Sequence, residues 1–307
     1  MNIYFAPLQG YTEDTYRRIH HELVGGVETY YSPFLRIEHG GIRSKDARDL
    51  RPDFNEGTPF VPQIIAKNLD EFTTLVDYVA QLGYREIDLN MGCPFPLQTR
   101  HGRGAGLLQN PENVAEIFNA ISQHNNIAFS VKMRLGQESP EEGFKLLPLI
   151  NDTPLRHVTL HPRLGIQQYK GDVHTDLFEQ FANELKHPII YNGDVRSLDD
   201  ILQIEKRLPQ LKGIMIGRGL LARPSLAQEY ADGACWDRHR CIRLIRNMHE
   251  HYHAALANII PGEAQLLRKL QTFWDYADED LLNKKTLKKV RKAGSLRNYL
   301  AAISEIV

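Results

Sequence analysis

The sequence predicts an α/β fold, a (β/α)8 TIM barrel with a small C-terminal helical domain, divided into residues 1–235 and 236–307. Three observations lead there. Short apolar or β-branched runs alternate with helical stretches eight times over about 220 residues, the rhythm of such a barrel. The runs are nearly continuous in apolar character, as parallel strands covered on both faces should be. A polar residue stands near or just past the end of each run: Gln9, Arg36, Gln63, Asn90, Lys132, His161, Asn192 and Arg218. In a barrel these positions converge on one face. An open doubly wound sheet, the alternative architecture, would concentrate its site at a switch point.

The predicted strands are Asn2–Ala6, Glu28–Phe34, Phe60–Ile65, Glu86–Asn90, Ala128–Met133, His157–Leu160, Pro188–Asn192 and Gly213–Ile216. Between them, Thr12–Leu23 opens on a threonine cap followed by acidic residues. Asp70–Leu82 carries Phe72, Leu75, Val76, Tyr78 and Val79 at helical spacing. Asn113–Ser122 follows Asn110-Pro111, a helix start, and Glu141–Ile150 and Ser197–Leu208 continue the pattern, the latter with Ser197 and Asp200 as a capping pair. The pattern changes after about Pro224, and from Trp236 onward no strand signal remains. Arg238–Ala257 and Glu263–Tyr276 read as helices parted by Pro261-Gly262. Leu281–Ile306 reads as one or two more, with Gly294 as a break.

Composition narrows the function classes. The chain is 42% hydrophobic and 24% charged, ordinary for a soluble globular protein with a large core. No run approaches the roughly 18 apolar residues that span a bilayer. The opening segment lacks a basic region followed by a long apolar stretch, so no signal peptide is expected. The cysteines, Cys93, Cys235 and Cys241, are odd in number and argue for a reducing, cytoplasmic setting; none of their spacings suits zinc, and no metal is expected. The formal charge of −1 hides an asymmetry. From Arg238 onward there are 13 Lys+Arg against 7 Asp+Glu, which leaves 24 against 31 for the rest. An acidic body with a basic tail points to a polyanion partner for the tail. Lys284, Lys285, Lys288 and Lys289 recur at helical spacing and form its densest positive face.

Several short motifs carry chemistry. In Asn90-Met91-Gly92-Cys93-Pro94, Gly92 and Pro94 flank the cysteine in a tight turn that fixes its thiol at the barrel mouth; the bland alternative is a buried structural cysteine. The glycine-rich His101–Leu108 stretch lacks the Gly-Lys-Ser/Thr of a P-loop and reads as a mobile lid. Lys132 ends an apolar strand, and points inward to meet an anion unless it lies past the strand end in solvent. Asn192-Gly193-Asp194 and Gly217-Arg218-Gly219 follow strands seven and eight, where barrels bind phosphate. His161 stands with Arg163 and with Tyr169, which offers a stacking surface.

With these residues in order, the chain resembles the dihydrouridine synthases across roughly residues 3–225, and more weakly in the tail. Ala6-Pro7-Leu8-Gln9-Gly10-Tyr11-Thr12-Glu13 is similar to the family's A-P-M-x-G-x-T-D, and Asp88–Pro94 to its D-x-N-x-G-C-P. Gly104–Leu108, Val131–Gly136, Asn192–Val195 and Met215–Gly219 follow in the family's order. The chain departs from the pattern at His161-Pro162-Arg163-Leu164 and at Cys93-Pro94-Phe95-Pro96-Leu97-Gln98, both in loops that face substrate. The resemblance implies FMN at the C-terminal mouth. Pro7 and Leu8 would pack on the flavin, Gln63 and Lys132 would hydrogen-bond its polar edge, and Gly193, Asp194, Gly217 and Arg218 would hold its phosphate, with Asn192 also at the cofactor. Asn90 and His161 would lie beside ring and uracil, with Arg163 and Tyr169 toward the substrate. It implies NADPH as reductant, Cys93 as proton donor to uracil C5, and tRNA or another structured RNA as substrate. The lysine face of the tail would bind that RNA. The alternatives are an FMN-dependent dehydrogenase of a free pyrimidine, a synthase acting on ribosomal RNA, and a non-catalytic RNA-binding barrel.

Overall fold

The computed structural model describes residues 1–306. Eight parallel strands form its barrel: β1 (Asn2–Phe5), β2 (Thr29–Tyr31), β3 (Phe60–Val61 and Gln63–Ile64), β4 (Glu86–Met91), β5 (Ala128–Gly136), β6 (Leu155–Leu164), β7 (Ile189–Tyr191) and β8 (Gly213–Ile216). Each pairs with its neighbours in sequence, and β8 closes on β1 in the register Asn2↔Gly213 to Phe5↔Ile216. The two segments of β3 flank Pro62, which has no N–H to give a ladder. The residues before it pair with β2 and those after it with β4, so the ring turns a corner there.

Two strands run further than their apolar runs suggest. β5 continues through Arg134 to Gly136, and β6 through His161 and Arg163 to Leu164. Polar residues at these positions read as loop. In the fold Arg134 and Arg163 are hydrogen-bonded to backbone carbonyls and to Asp194, and the strands carry the polar residues to the rim. A helix at Thr175–Glu184 lies between β6 and β7 where the sequence shows none clearly; it buries only Phe178 and Phe181, too few apolar positions for a strong period. The Ser197 cap is present as a full capping box with Asp200.

Beyond the barrel, Arg238–Ala257 and Glu263–Thr272 are helices, and the remainder divides into Glu279–Leu282, Lys284–Arg291 and Leu296–Ile303. The first of those breaks is at Asn283, which takes φ 68° and caps the next helix by accepting from Lys285 N–H. Aromatic packing fixes this bundle to the barrel's first helix, Asp14–Leu23: Tyr16 meets Tyr252 at 6.2 Å and Phe273 at 5.9 Å between ring centroids. Lys269 donates to Gly10 O at 2.8 Å and pairs with Glu13 at 2.7 Å. Trp274 is fully buried and donates its indole N–H to Tyr299 Oη. Among the described residues no helix is long and apolar enough to cross a membrane.

Candidate active site

The C-terminal ends of the strands surround a cavity of ≈ 490 Å³. Of the eight polar residues at the strand ends, seven line it: Gln9, Arg36, Asn90, Lys132, His161, Asn192 and Arg218. Pro7, Leu8, Cys93, Gly193, Asp194, Gly217 and Tyr169 line it as well.

Cys93 is aimed by a relay that starts at the barrel axis. Ser130 Oγ and Gln63 Nε2 donate to the two oxygens of fully buried Asp88, at 2.6 and 2.7 Å. Gln63 Oε1 accepts from Asn90 Nδ2 at 2.7 Å, and Asn90 Oδ1 accepts from the backbone N–H groups of Gly92 and Cys93. Gln63 therefore sits beneath the cavity, not on its wall. One N–H of its amide is taken by Asp88. The glycine-rich segment is a 3-10 helix, Gly104–Gln109, whose residues through Leu108 are buried. A side chain at Gly104, which has φ +59°, would meet Cys93 O at 2.6 Å and Cys93 Cβ at 2.9 Å. The expected lid is thus a fixed buttress, and the glycine serves close approach to the cysteine.

Burial pushes the Cys93 thiol above its usual range, only partly offset by Arg134 and Lys132, so it is protonated at neutral pH. Burial, then Arg134, brings Lys132 down to about 8, and Asp88 holds it from falling further. Its ammonium makes no hydrogen bond or ion pair among the described residues. Burial and the surrounding cations hold His161 far below its ordinary value, so the imidazole is neutral. Arg163 Nη1 donates toward His161 Nε2 at 3.4 Å, which places the ring proton on Nδ1.

Arg163, expected toward the substrate, is 2% exposed and turned away from the cavity. It pairs with both oxygens of Asp194 and donates to Gly171 O. Asp194 also accepts from Arg218 at 2.8 Å. A carboxylate cannot hold a phosphate directly, so the side chain of Asp194 orients Arg163 and Arg218. Tyr169 stacks between Arg218, 4.7 Å from its ring centroid, and Arg134, 5.4 Å away.

Three contributors escape a reading of the sequence. Arg134 shares a strand face with Lys132, two residues earlier, and is fixed by Gly92 O and Leu164 O. That alternation was a usable signal. Asp88 is recognisable only as a motif letter until its bonds are seen. Tyr276 reaches the rim from the tail, edge-on to Tyr11, and nothing local predicts it. The lysines Lys284, Lys285, Lys288 and Lys289 are exposed on the helix Lys284–Arg291, which is outside the cavity.

A family model described as "Dihydrouridine synthase (Dus)" matches residues 4–304. The chain belongs to the dihydrouridine synthase family. Among its relatives, a tRNA-dihydrouridine(16) synthase of Neisseria meningitidis is 29% identical over 235 residues, covering 74% of this chain and 70% of the relative. One of Cupriavidus necator is 28% identical over 294 residues, 90% of each chain. A probable tRNA-dihydrouridine synthase 2 of Bacillus subtilis is 27% identical over 255 residues, 80% of this chain and 78% of that one. Among solved structures, morphinone reductase in complex with tetrahydroNAD shares the barrel fold, with a TM-score of 0.52 at 11% identity over 77% of this chain and 87% of that one. In this dihydrouridine synthase family member, the family's D-x-N-x-G-C-P element is the relay itself: Asp88 anchors, Asn90 orients and Cys93 presents a thiol.

Proposed function

We propose that the chain reduces uridine to 5,6-dihydrouridine in tRNA, with FMN as cofactor, NADPH as reductant and Cys93 as the proton donor. The observation that carries this reading is Cys93, its backbone N–H held by Asn90 and its thiol kept protonated by burial, on the wall of a cavity large enough for a flat cofactor and one base.

The residues fit an anionic flavin nucleotide. Lys132 is a buried cation without an anionic partner in bonding range, a costly arrangement unless a ligand completes it. No acceptor among the described residues takes the N–H groups of Gly193 or Gly217. A Cβ at Gly217 would press on Leu8 Cδ1 at 3.2 Å, and one at Gly193 on Tyr191 Oη at 3.0 Å. Those N–H groups and Arg218 would hold the phosphate. Lys132 would hold the polar edge of the ring, while Pro7 and Leu8 pack on its face and Gln63, beneath the cavity, acts through Asn90. When bound, the flavin supplies the hydride that reduces uracil C6.

The chain's own residues supply the rest. Cys93 holds a proton for uracil C5, so that the C5–C6 double bond is consumed by one hydride and one proton. The resulting thiolate is stabilised by Arg134 and Lys132 and takes its next proton from solvent. Neutral His161 and Asn90 stand at the cavity wall as hydrogen-bonding partners for the uracil edge. The exposed lysines of the tail, with the bundle from residue 236 onward, grip the phosphates of the folded RNA. The relatives named for position 16 make that uridine the expected target.

The test is a deletion strain whose tRNAs are digested and mapped for dihydrouridine by mass spectrometry. Loss at position 16, restored by the wild-type gene and not by Cys93→Ala, is expected. Unchanged dihydrouridine throughout its tRNA would overturn the proposal, and a purified protein without yellow colour would overturn the flavin.

A further inference from the structure

Seven large hydrophobic side chains are exposed among the described residues, and four of them lie at the barrel mouth. Phe95 (57% exposed) and Leu97 (62%) follow β4, while Ile166 (60%) and Tyr169 (50%) follow β6. Single exposed apolar residues are ordinary; a cluster on the rim of a functional cavity asks for an occupant. Phe95, Leu97 and Tyr169 all line that cavity. Phe95 and Leu97 stand only two and four residues beyond Cys93, on a turn held by Gln98 N–H and Thr99 N–H donating to Phe95 O. The buttress that fixes Cys93 fixes this turn as well: a side chain at Gly106 would strike Thr99 O at 2.5 Å.

The chemistry around the cluster selects the occupant. Guanidinium groups of Arg134 and Arg218 lie on the ring of Tyr169, and Arg36 and Arg196 line the same cavity. Arg100 and Lys170 are exposed in the same two loops. Apolar surface interleaved with cations suits nucleobases flanked by phosphates better than an apolar protein face. A base that is reduced in this cavity must first leave its stack, which exposes the face of its neighbour and costs a few kcal/mol.

We propose that Phe95 and Leu97 form an apolar wedge that stacks on the nucleobase next to the extruded uridine and fills the space it vacates. This rests on the reading that the substrate is a uridine within RNA. The wedge holds the RNA in its opened state while Cys93 faces the target base. Both side chains project from the surface, so their truncation leaves the core packing intact.

The experiment uses the purified holoenzyme, NADPH and an unmodified tRNA transcript, with dihydrouridine formation as the readout. Phe95→Ala and Leu97→Ala are each expected to lower kcat/KM about tenfold, the scale of one base-stacking interaction. Phe95→Trp should restore turnover, and its added fluorescence should be quenched by the transcript. Two further transcripts carry an abasic site on the 5′ or the 3′ side of the reduced uridine. On one of them wild type and Phe95→Ala should converge, because the stacking partner is gone. Equal penalties on all three transcripts would overturn the wedge. Wild-type kcat/KM for both alanine variants would overturn it too and assign the patch to a protein partner. If the wild-type enzyme forms no dihydrouridine at all, the proposed function falls and the wedge with it.

Discussion

The barrel mouth and the C-terminal bundle are both rich in cations, yet they hold them in opposite ways. At the mouth, Lys132 is buried, Arg134 is held by two backbone carbonyls and Arg218 is paired with Asp194. On the helix Lys284–Arg291 the lysines stand in solvent on flexible stems. A desolvated, fixed charge acts strongly over a short range and discriminates shape. A solvated one acts weakly, is screened by salt and sums with its neighbours. The difference suits the proposed division of labour, in which the mouth would recognise a cofactor and a base, and the tail a phosphate backbone.

The largest test of this division is at Cys93. Cys93→Ala should retain flavin and its reduction by NADPH, while dihydrouridine formation falls about 10²- to 10⁴-fold, the usual worth of a positioned proton donor. Turnover at wild-type rate would move the proton donor elsewhere. Cys241 of the tail, buried against Ser225, and exposed Cys235 should tolerate alanine without loss of rate. Next is Arg218→Ala, which would remove a charge-assisted contact at the proposed phosphate cradle. It should weaken flavin retention about ten- to a hundredfold, read as occupancy after dialysis with circular dichroism as a folding control. Unchanged occupancy would place the phosphate away from β7 and β8.

Much of this mouth is visible in the sequence because a (β/α)8 barrel turns order along the chain into convergence in space. Once eight strands are recognised, residues at their ends must meet, and seven of eight do. Gln63 is the exception for a local reason: Pro62 interrupts its strand and turns the side chain into the relay under Cys93. Arg163 was hidden by its partner, since nothing in the sequence pairs it with Asp194 thirty-one residues on. The glycines of residues 101–108 suggested mobility, but glycine also marks close approach, and only three-dimensional contact separates the two. Tyr276 needed the docking of the tail.

Acid probes whether mouth and bundle stand or fall together. Burial holds His20 at about 4, His157 and His249 at about 3, and His161 well below 6.5. A depressed folded pKa contributes stability that is complete above the unfolded value of 6.5 and is lost as pH falls toward the folded one. Each such histidine costs about 1.4 kcal/mol per pH unit in that window. Asp49 and Asp88, raised by burial to about 6, have the opposite sign: their contribution is complete below 3.8 and fades as pH rises through 6. Asp46, also raised by burial, adds to the second set. Four histidines against three carboxylates still give a net loss, so the Tm should fall steadily from pH 7 to 5. His249 belongs to the tail and the others to the barrel, yet one aromatic cluster joins them through Tyr16, Tyr252 and Phe273. Tryptophan emission, which comes only from Trp236 and Trp274, should therefore change together with far-ultraviolet dichroism. Two separate transitions would show that the bundle unfolds by itself, and a Tm that holds or rises toward pH 5 would refute the sign.

The smallest expected effect separates lysines within the tail. Lys284 pairs with Glu279 at 3.5 Å and Lys289 with Glu305 at 2.6 Å, whereas Lys285 and Lys288 form no ion pair among the described residues. An RNA phosphate must compete with a carboxylate for the first two and only with water for the second two. Removing one lysine–phosphate pairing lowers the salt slope by nearly one unit on a duplex. The double variant Lys285→Ala and Lys288→Ala should thus raise the Kd for tRNA severalfold and flatten its salt dependence by up to two units. The double variant at Lys284 and Lys289 should do less, because carboxylates already neutralise part of the charge that it removes. Flavin content and NADPH oxidation should not change in either. Binding with the wild-type Kd and slope in both would remove this helix from the RNA surface and move the grip to Arg240, Arg243 and Arg246, on the helix that begins at Arg238.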